Sequence, residues 1–295
     1  MIARKGGAAH ATSSIAFHCR FSRLRKAMHY TGTILVCGLF ALAPALMPRV
    51  ATAQLAAPSV RVFETEAFSG AELLAGKHMT ESECAARPGA VWVIVDGAGQ
   101  CIRYYHATTI ASGTEAIVYF DNDAVLTNRR GESRPSEAYL KLSPAAVQNG
   151  SASWSRALHM PYIHLARPGV SGSSGEHAKR RTPREIALVS AALDAVKAVH
   201  GYKRLHLVGF GHGGHVAASL LARRDDLGCV VLASALLSLR TWLADLGLRQ
   251  DVTDRKDAVD PLALADKIAK RPELRIFVLT DPDDVVISAR SQTLY

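Results

Sequence analysis

The chain has 295 residues, 48% of them hydrophobic and 21% charged, which is enough apolar material for one large α/β core and too much for a disordered chain. Its net charge of +9 overstates the basic character of the folded part, because residues 1–53 hold seven Lys/Arg and no acid and leave +2 for the rest. A nucleic-acid partner thereby loses its main support and is not expected, since a basic footprint has to persist in the folded surface.

In chain order, the first 53 residues read as a signal peptide. Basic residues end at Lys26, the apolar run Thr33–Met47 follows, and Ala51-Thr52-Ala53 gives a small-residue cleavage pattern before Gln54. The run is short and interrupted by Pro44 and Pro48, so no stable membrane span is expected after cleavage, an uncleaved anchor being the alternative. Met28 is a second possible start. Export to the periplasm or the exterior permits disulfides. Residues 54–115 form an N-terminal β region with a hairpin. Cys84 and Cys101 flank VWVIVDGAGQ, whose Asp96-Gly97 turn brings the two ends together. A Cys84–Cys101 disulfide is expected, with two free thiols as the alternative, and Cys229 reads as a buried, inert thiol.

Residues 116–295 form the core. Ala116–Phe120 is a buried strand running into Asp121-Asn122-Asp123, and residues 127–153 are a polar connection with some helix. Pro161–Leu165 is a strand, and the glycine-rich loop 166–177 follows it. The next helix has Thr182 at its N-cap, Pro183 at N1 and Glu185 at N3 as a capping box, with Ile186, Val189, Leu193 and Val196 on one face. A strand Leu205–Val208, a turn Gly209–Gly214 and a helix to about Arg224 form a hinge. Strands at Cys229–Ala233 and Leu274–Thr280 close the list, separated by an irregular helical stretch from Leu236 to Lys270. Strands separated by helices predict a mostly parallel, doubly wound sheet.

The hinge string Gly209-Phe210-Gly211-His212-Gly213-Gly214, the strand before Asp121, and the late strand ending in Asp281-Pro282-Asp283-Asp284 together resemble the α/β-hydrolase superfamily, in particular secreted serine esterases and prolyl-oligopeptidase-like hydrolases. The resemblance covers Ala116 to the end of the chain. It implies an α/β-hydrolase-type sheet with an N-terminal β extension and a missing last strand, and an ester- or peptide-like small molecule as ligand. It places the nucleophile position at Gly211 and the acid at Asp284, with Asp283 as the competing assignment. The oxyanion donors are implied to be the N–H of His212 and one from Asn122 or Asp123.

Two departures argue against activity. Glycine has no hydroxyl to attack with, and His215 is the last histidine, so none follows Asp284 as the general base. The resemblance therefore implies a disabled hydrolase without cofactor or metal. Gly209, Gly211 and Gly214 also match the dinucleotide pattern G-x-G-x-x-G, which is the alternative reading. That reading wants an acid near the end of the next strand, where the sequence has Ala233, Ser234 and Ala235.

Smaller features have plainer readings. His206, His212 and His215 lack the spacing of a zinc helix, and Asp121 and Asp123 read as a site loop rather than a cation site. Lys179-Arg180-Arg181 reads as a solvated basic run, and Ser173 and Ser174 as exposed loop hydroxyls.

Overall fold

The computed structural model describes residues 62–109, 113–128, 131–248 and 256–295; the expected signal peptide lies outside them. Two short helices come first, α1 (Gly70–Ala75) and α2 (Glu81–Ala85), each started by a hydroxyl cap, Ser69 and Thr80. The segment is thus not purely β as the sequence reading had it. Thr80 and Glu83 form a complete capping box, which satisfies two otherwise orphaned backbone donors. The hairpin follows as β1 (Ala90–Val95) and β2 (Ala98–Ala107), in register from Val95↔Ala98 to Ala90↔Arg103. Asp96 and Gly97 both take positive φ at the two-residue turn, the conformation such tight hairpins require.

The core strands are β3 (Glu115–Phe120), β6 (Tyr162–Leu165), β7 (Arg204–Phe210), β8 (Leu227–Ala233) and β9 (Arg275–Leu279). Between β3 and β6 lie the small ribbon β4 (Val125–Thr127) and β5 (Ser133–Pro135), then α3 (Glu137–Leu140) and α4 (Pro144–Leu158). The seven-stranded sheet has the order β1-β2-β6-β3-β7-β8-β9. Strands β6, β3, β7, β8 and β9 run parallel, and the hairpin joins antiparallel through β2 against β6. The hairpin is therefore one edge of the main sheet.

Alternation along β2 sends consecutive side chains to opposite faces. Tyr104 joins the large core shared with α5 (Pro183–His200) and α6 (His212–Leu221), whereas Tyr105 joins a second cluster with Val147 of α4. Helices thus cover both faces, which lets β8 be buried along its whole length. As the spacing predicts, Ile186, Val189, Leu193 and Val196 are buried. Thr182 caps α5 through the N–H of Glu185, but the Glu185 side chain does not complete the box. It turns inward to accept from the N–H of Arg181 and from Arg167.

The connection from β8 to β9 carries α7 (Leu239–Asp245) and a 3-10 helix, Pro261–Lys267; α8 (Ala289–Thr293) follows β9. A disulfide joins Cys84 to Cys101, with Cα atoms 5.5 Å apart, and staples α2 to β2. Cys229 is buried as expected. Among the described residues, no helix is long and apolar enough to cross a membrane.

Candidate functional site

Strand β7 lies inside the sheet, flanked by β3 and β8, and the chain turns sharply at its C-terminal end into α6, every residue of which is buried. Gly211 forms the corner at φ 57° and ψ −121°, a region that residues with a side chain enter only under strain. Its N–H donates to the carbonyl of Ala233 at the end of β8, and its carbonyl accepts from Leu236. Close approach demands the next glycine: a β-carbon on Gly213 would stand 2.2 Å from the carbonyl oxygen of Phe120 at the end of β3. The strained corner at the carboxyl edge of a parallel sheet, opening a buried helix, has the geometry of a nucleophile elbow. The fold is of the α/β-hydrolase type.

No protein-family model matches the sequence, and no curated protein does. Among solved structures, the chain is similar to Est1E from Butyrivibrio proteoclasticus with ferulic acid bound, at 13% identity over 70% of this chain and 86% of that one, TM-score 0.47. It is also similar to the Pyrococcus furiosus esterase Pf2001, at 12% identity over 75% and 81%, TM-score 0.49. A third is the acylaminoacyl peptidase of Pyrococcus horikoshii, at 12% identity and TM-score 0.47, where the match takes in 70% of this chain but 33% of the peptidase. At such identities the likeness concerns the fold and nothing finer, and the assignment of fold type rests on this chain's own sheet and elbow.

Gly211, where the resemblance puts the nucleophile, offers a bare α-carbon at this corner. The donors named as its oxyanion site are present and converge, but on an atom of the chain itself. The N–H of His212 (3.0 Å) and the N–H of Asp123 (2.9 Å) both donate to Oδ1 of Asn122. Two backbone donors fix that atom as the amide oxygen. His212 Nδ1 lies 2.8 Å from the same oxygen and so carries its proton there, leaving Nε2 as the acceptor nitrogen. Burial pushes the His212 pKa down to about 3, with Arg181 and Arg167 adding to the effect and Asp123 opposing it. The ring is therefore neutral near pH 7. Its contribution to a proton shuttle would be small, because so weak a base holds no proton at working pH.

Asp123 anchors a buried ion cluster that sequence reasoning missed. Its Oδ1 is 2.6 Å from Arg167, and its Oδ2 is 2.9 Å from Arg180 and 2.8 Å from Arg181. Arg180 and Arg181 are 5% and 0% exposed, which corrects the reading of Lys179-Arg180-Arg181 as solvated; of the three, Lys179 alone is exposed. Glu185 completes the cluster through Arg167 Nε at 2.8 Å. Burial alone would raise the Asp123 pKa, but His212, Arg167 and Arg181 outweigh it and hold the carboxyl well below the usual range. Because His212 is itself neutral, the guanidiniums carry that effect at neutral pH. Burial likewise holds His177, 3.6 Å from Asp123, well below its ordinary value.

The turn after β9, where the resemblance puts the acid, sits at the same sheet edge. Ser234, at the end of β8, donates its N–H to the carbonyl of Leu279, and the turn continues from there. Asp284 Oδ1 accepts from the N–H groups of Val286 and Ile287, while Asp283 is exposed and donates its N–H to Asp281. Trp242 connects this turn to the elbow: its Nε1 donates to the Val286 carbonyl at 2.8 Å, and its ring meets His212 edge-on at 5.5 Å. No sequence signal marked Trp242 as part of the site.

The remaining candidates disperse. His206 approaches Glu115, and His215 Nε2 lies 2.8 Å from the Val259 carbonyl. Among the described residues, no group of three His, Cys, Asp or Glu converges as a metal site. The hydroxyls of Ser173 and Ser174 are buried, where they accept from the backbone N–H groups of Arg103 and Cys101, and so are not the exposed hydroxyls of the sequence reading. The end of β8 carries no acid for a dinucleotide ribose, only Ala233, Ser234 and Ala235.

Proposed function

We propose that the chain is an exported α/β-hydrolase-fold protein, related to serine esterases and peptidases, that runs no serine acyl-transfer cycle. Its remaining capacity is the binding of an ester- or peptide-like small molecule over the carboxyl edge of the sheet. The single observation carrying the reading is Gly211: at the elbow corner there is no side-chain oxygen, and loss of a nucleophile removes about a million-fold in rate in a serine protease. Export is supported by the leader pattern in residues 1–53 and fits the Cys84–Cys101 disulfide.

The test is steady-state hydrolysis of p-nitrophenyl acetate and butyrate by the purified chain, with ligand binding followed by tryptophan fluorescence. The reading expects turnover equal to that of heat-denatured protein, together with saturable quenching by a non-hydrolysed ester or amide analogue. Saturable hydrolysis would overturn the inactive assignment. Mass spectrometry of protein recovered from the periplasm or medium checks export, with Gln54 as the expected first residue.

A further inference from the structure

The atom that receives the donors at the elbow also fills the space above Gly211. A β-carbon built on Gly211 would stand 2.4 Å from Oδ1 of Asn122, 2.6 Å from its Cγ and 3.0 Å from its Nδ2. Contacts that short do not occur between real atoms, so the carboxamide holds the volume into which any side chain at 211 has to project. The same oxygen takes the N–H groups of His212 and Asp123 and the Nδ1 proton of His212.

We propose that Asn122 is an internal occupant that closes this corner, and that residues 122 and 211 form one interdependent pair. The amide is the free end of a flexible side chain and is able to swing aside. Swinging strips the acceptor from two backbone N–H groups, one of them at the N-terminus of the buried helix α6, and from the His212 Nδ1 proton. Buried donors left without a partner are costly, so the carboxamide stays and the corner admits only glycine. Putting a serine back at 211 alone therefore does not rebuild an attacking site. The carboxamide also sits where an acyl oxygen would need the two N–H groups, so a ligand reaches them only by displacing it. The functional half of the proposal rests on reading Gly211 as the vacant nucleophile position, whereas the packing half stands on its own.

Cysteine is a suitable probe, being close to serine in size and readable by its reactivity. Gly211→Cys is made with and without Asn122→Gly in the full chain, and iodoacetamide labelling of residue 211 under native conditions is followed by peptide mass spectrometry. Urea unfolding is measured in parallel for Gly211→Ala, Asn122→Gly and the double variant. The strain of positive φ at 211 is common to both backgrounds and cancels in the cycle. The pair predicts labelling at least about tenfold faster without Asn122, and a loss in the folding equilibrium constant from Gly211→Ala at least about tenfold larger with Asn122 present. If Gly211→Cys fails to fold, Asn122→Gly has to restore folding. Equal labelling rates, additive unfolding energies or failure of that restoration overturn the proposal. Ester hydrolysis is not among these readouts, so activity in the parent chain would sink the proposed function without deciding this pair.

Discussion

Asp123→Asn removes one charge from the centre of the arginine cluster with almost no change of volume. The carboxylate is 6% exposed and joins Arg167, Arg180 and Arg181 at 2.6, 2.9 and 2.8 Å. Removing one partner of a buried ion pair costs about 3–5 kcal/mol, because the remaining charges lose the group that offsets their desolvation. At about 2–4 °C per kcal/mol for a chain of this size, Tm should fall by about 6–20 °C. Lys179→Ala is the control, since the Lys179–Glu176 pair is 57% and 36% exposed and such surface pairs contribute about 1 kcal/mol or less. The carboxyl is held below its ordinary value, so its contribution is complete above the unfolded pKa of about 3.9 and lost as pH falls through the lower folded value. The assay is urea unfolding at pH 7 followed by circular dichroism. A cost for Asp123→Asn no larger than that of the control would refute the view that this cluster ties the loop after β3 to the start of α5.

Three further outcomes follow from the same structure. Gly213→Ala should cost about 3 kcal/mol in the urea midpoint, because its β-carbon would meet two backbone oxygens, those of Phe120 at 2.2 Å and Asp121 at 2.5 Å. Replacing Cys84 and Cys101 together by alanine should lower unfolding stability, read by urea unfolding, by about 3 kcal/mol, given the separation of 17 residues. Burial pushes His106 and His215 down to about 4, so both are neutral in the folded state while the unfolded chain protonates near 6.5. Their contribution is present above about 6.5 and lost as pH falls towards 4. Tm should therefore drop steadily over that window, and a flat profile would contradict the burial of these rings.

Local signals were readable in the sequence and non-local ones were not. The Thr182-Pro183 start of α5, the Asp96-Gly97 turn and the glycines of the elbow each act within a few residues, so residue type alone indicated the structure. The short helices α1 and α2 leave no hydrophobic period in their five or six residues, although Thr80 and Glu83 carry a capping-box spacing. The burial of Arg181 was invisible because its partner Asp123 lies 58 residues away, and a basic run read by itself defaults to solvent. The resemblance pointed to a backbone N–H of Asn122 or Asp123 as an oxyanion donor, and nothing in the sequence marks the Asn122 side chain as the acceptor of two backbone N–H groups. Only the approach of two loops 90 residues apart shows that role.

The central claim is that the elbow offers no attacking oxygen and that its corner is closed by Asn122. Incubating the folded chain with a fluorophosphonate and reading intact mass tests it most directly, since that reagent captures an activated serine as a stable adduct. The mass should be unchanged. A stoichiometric adduct mapped to any serine of this chain would contradict it.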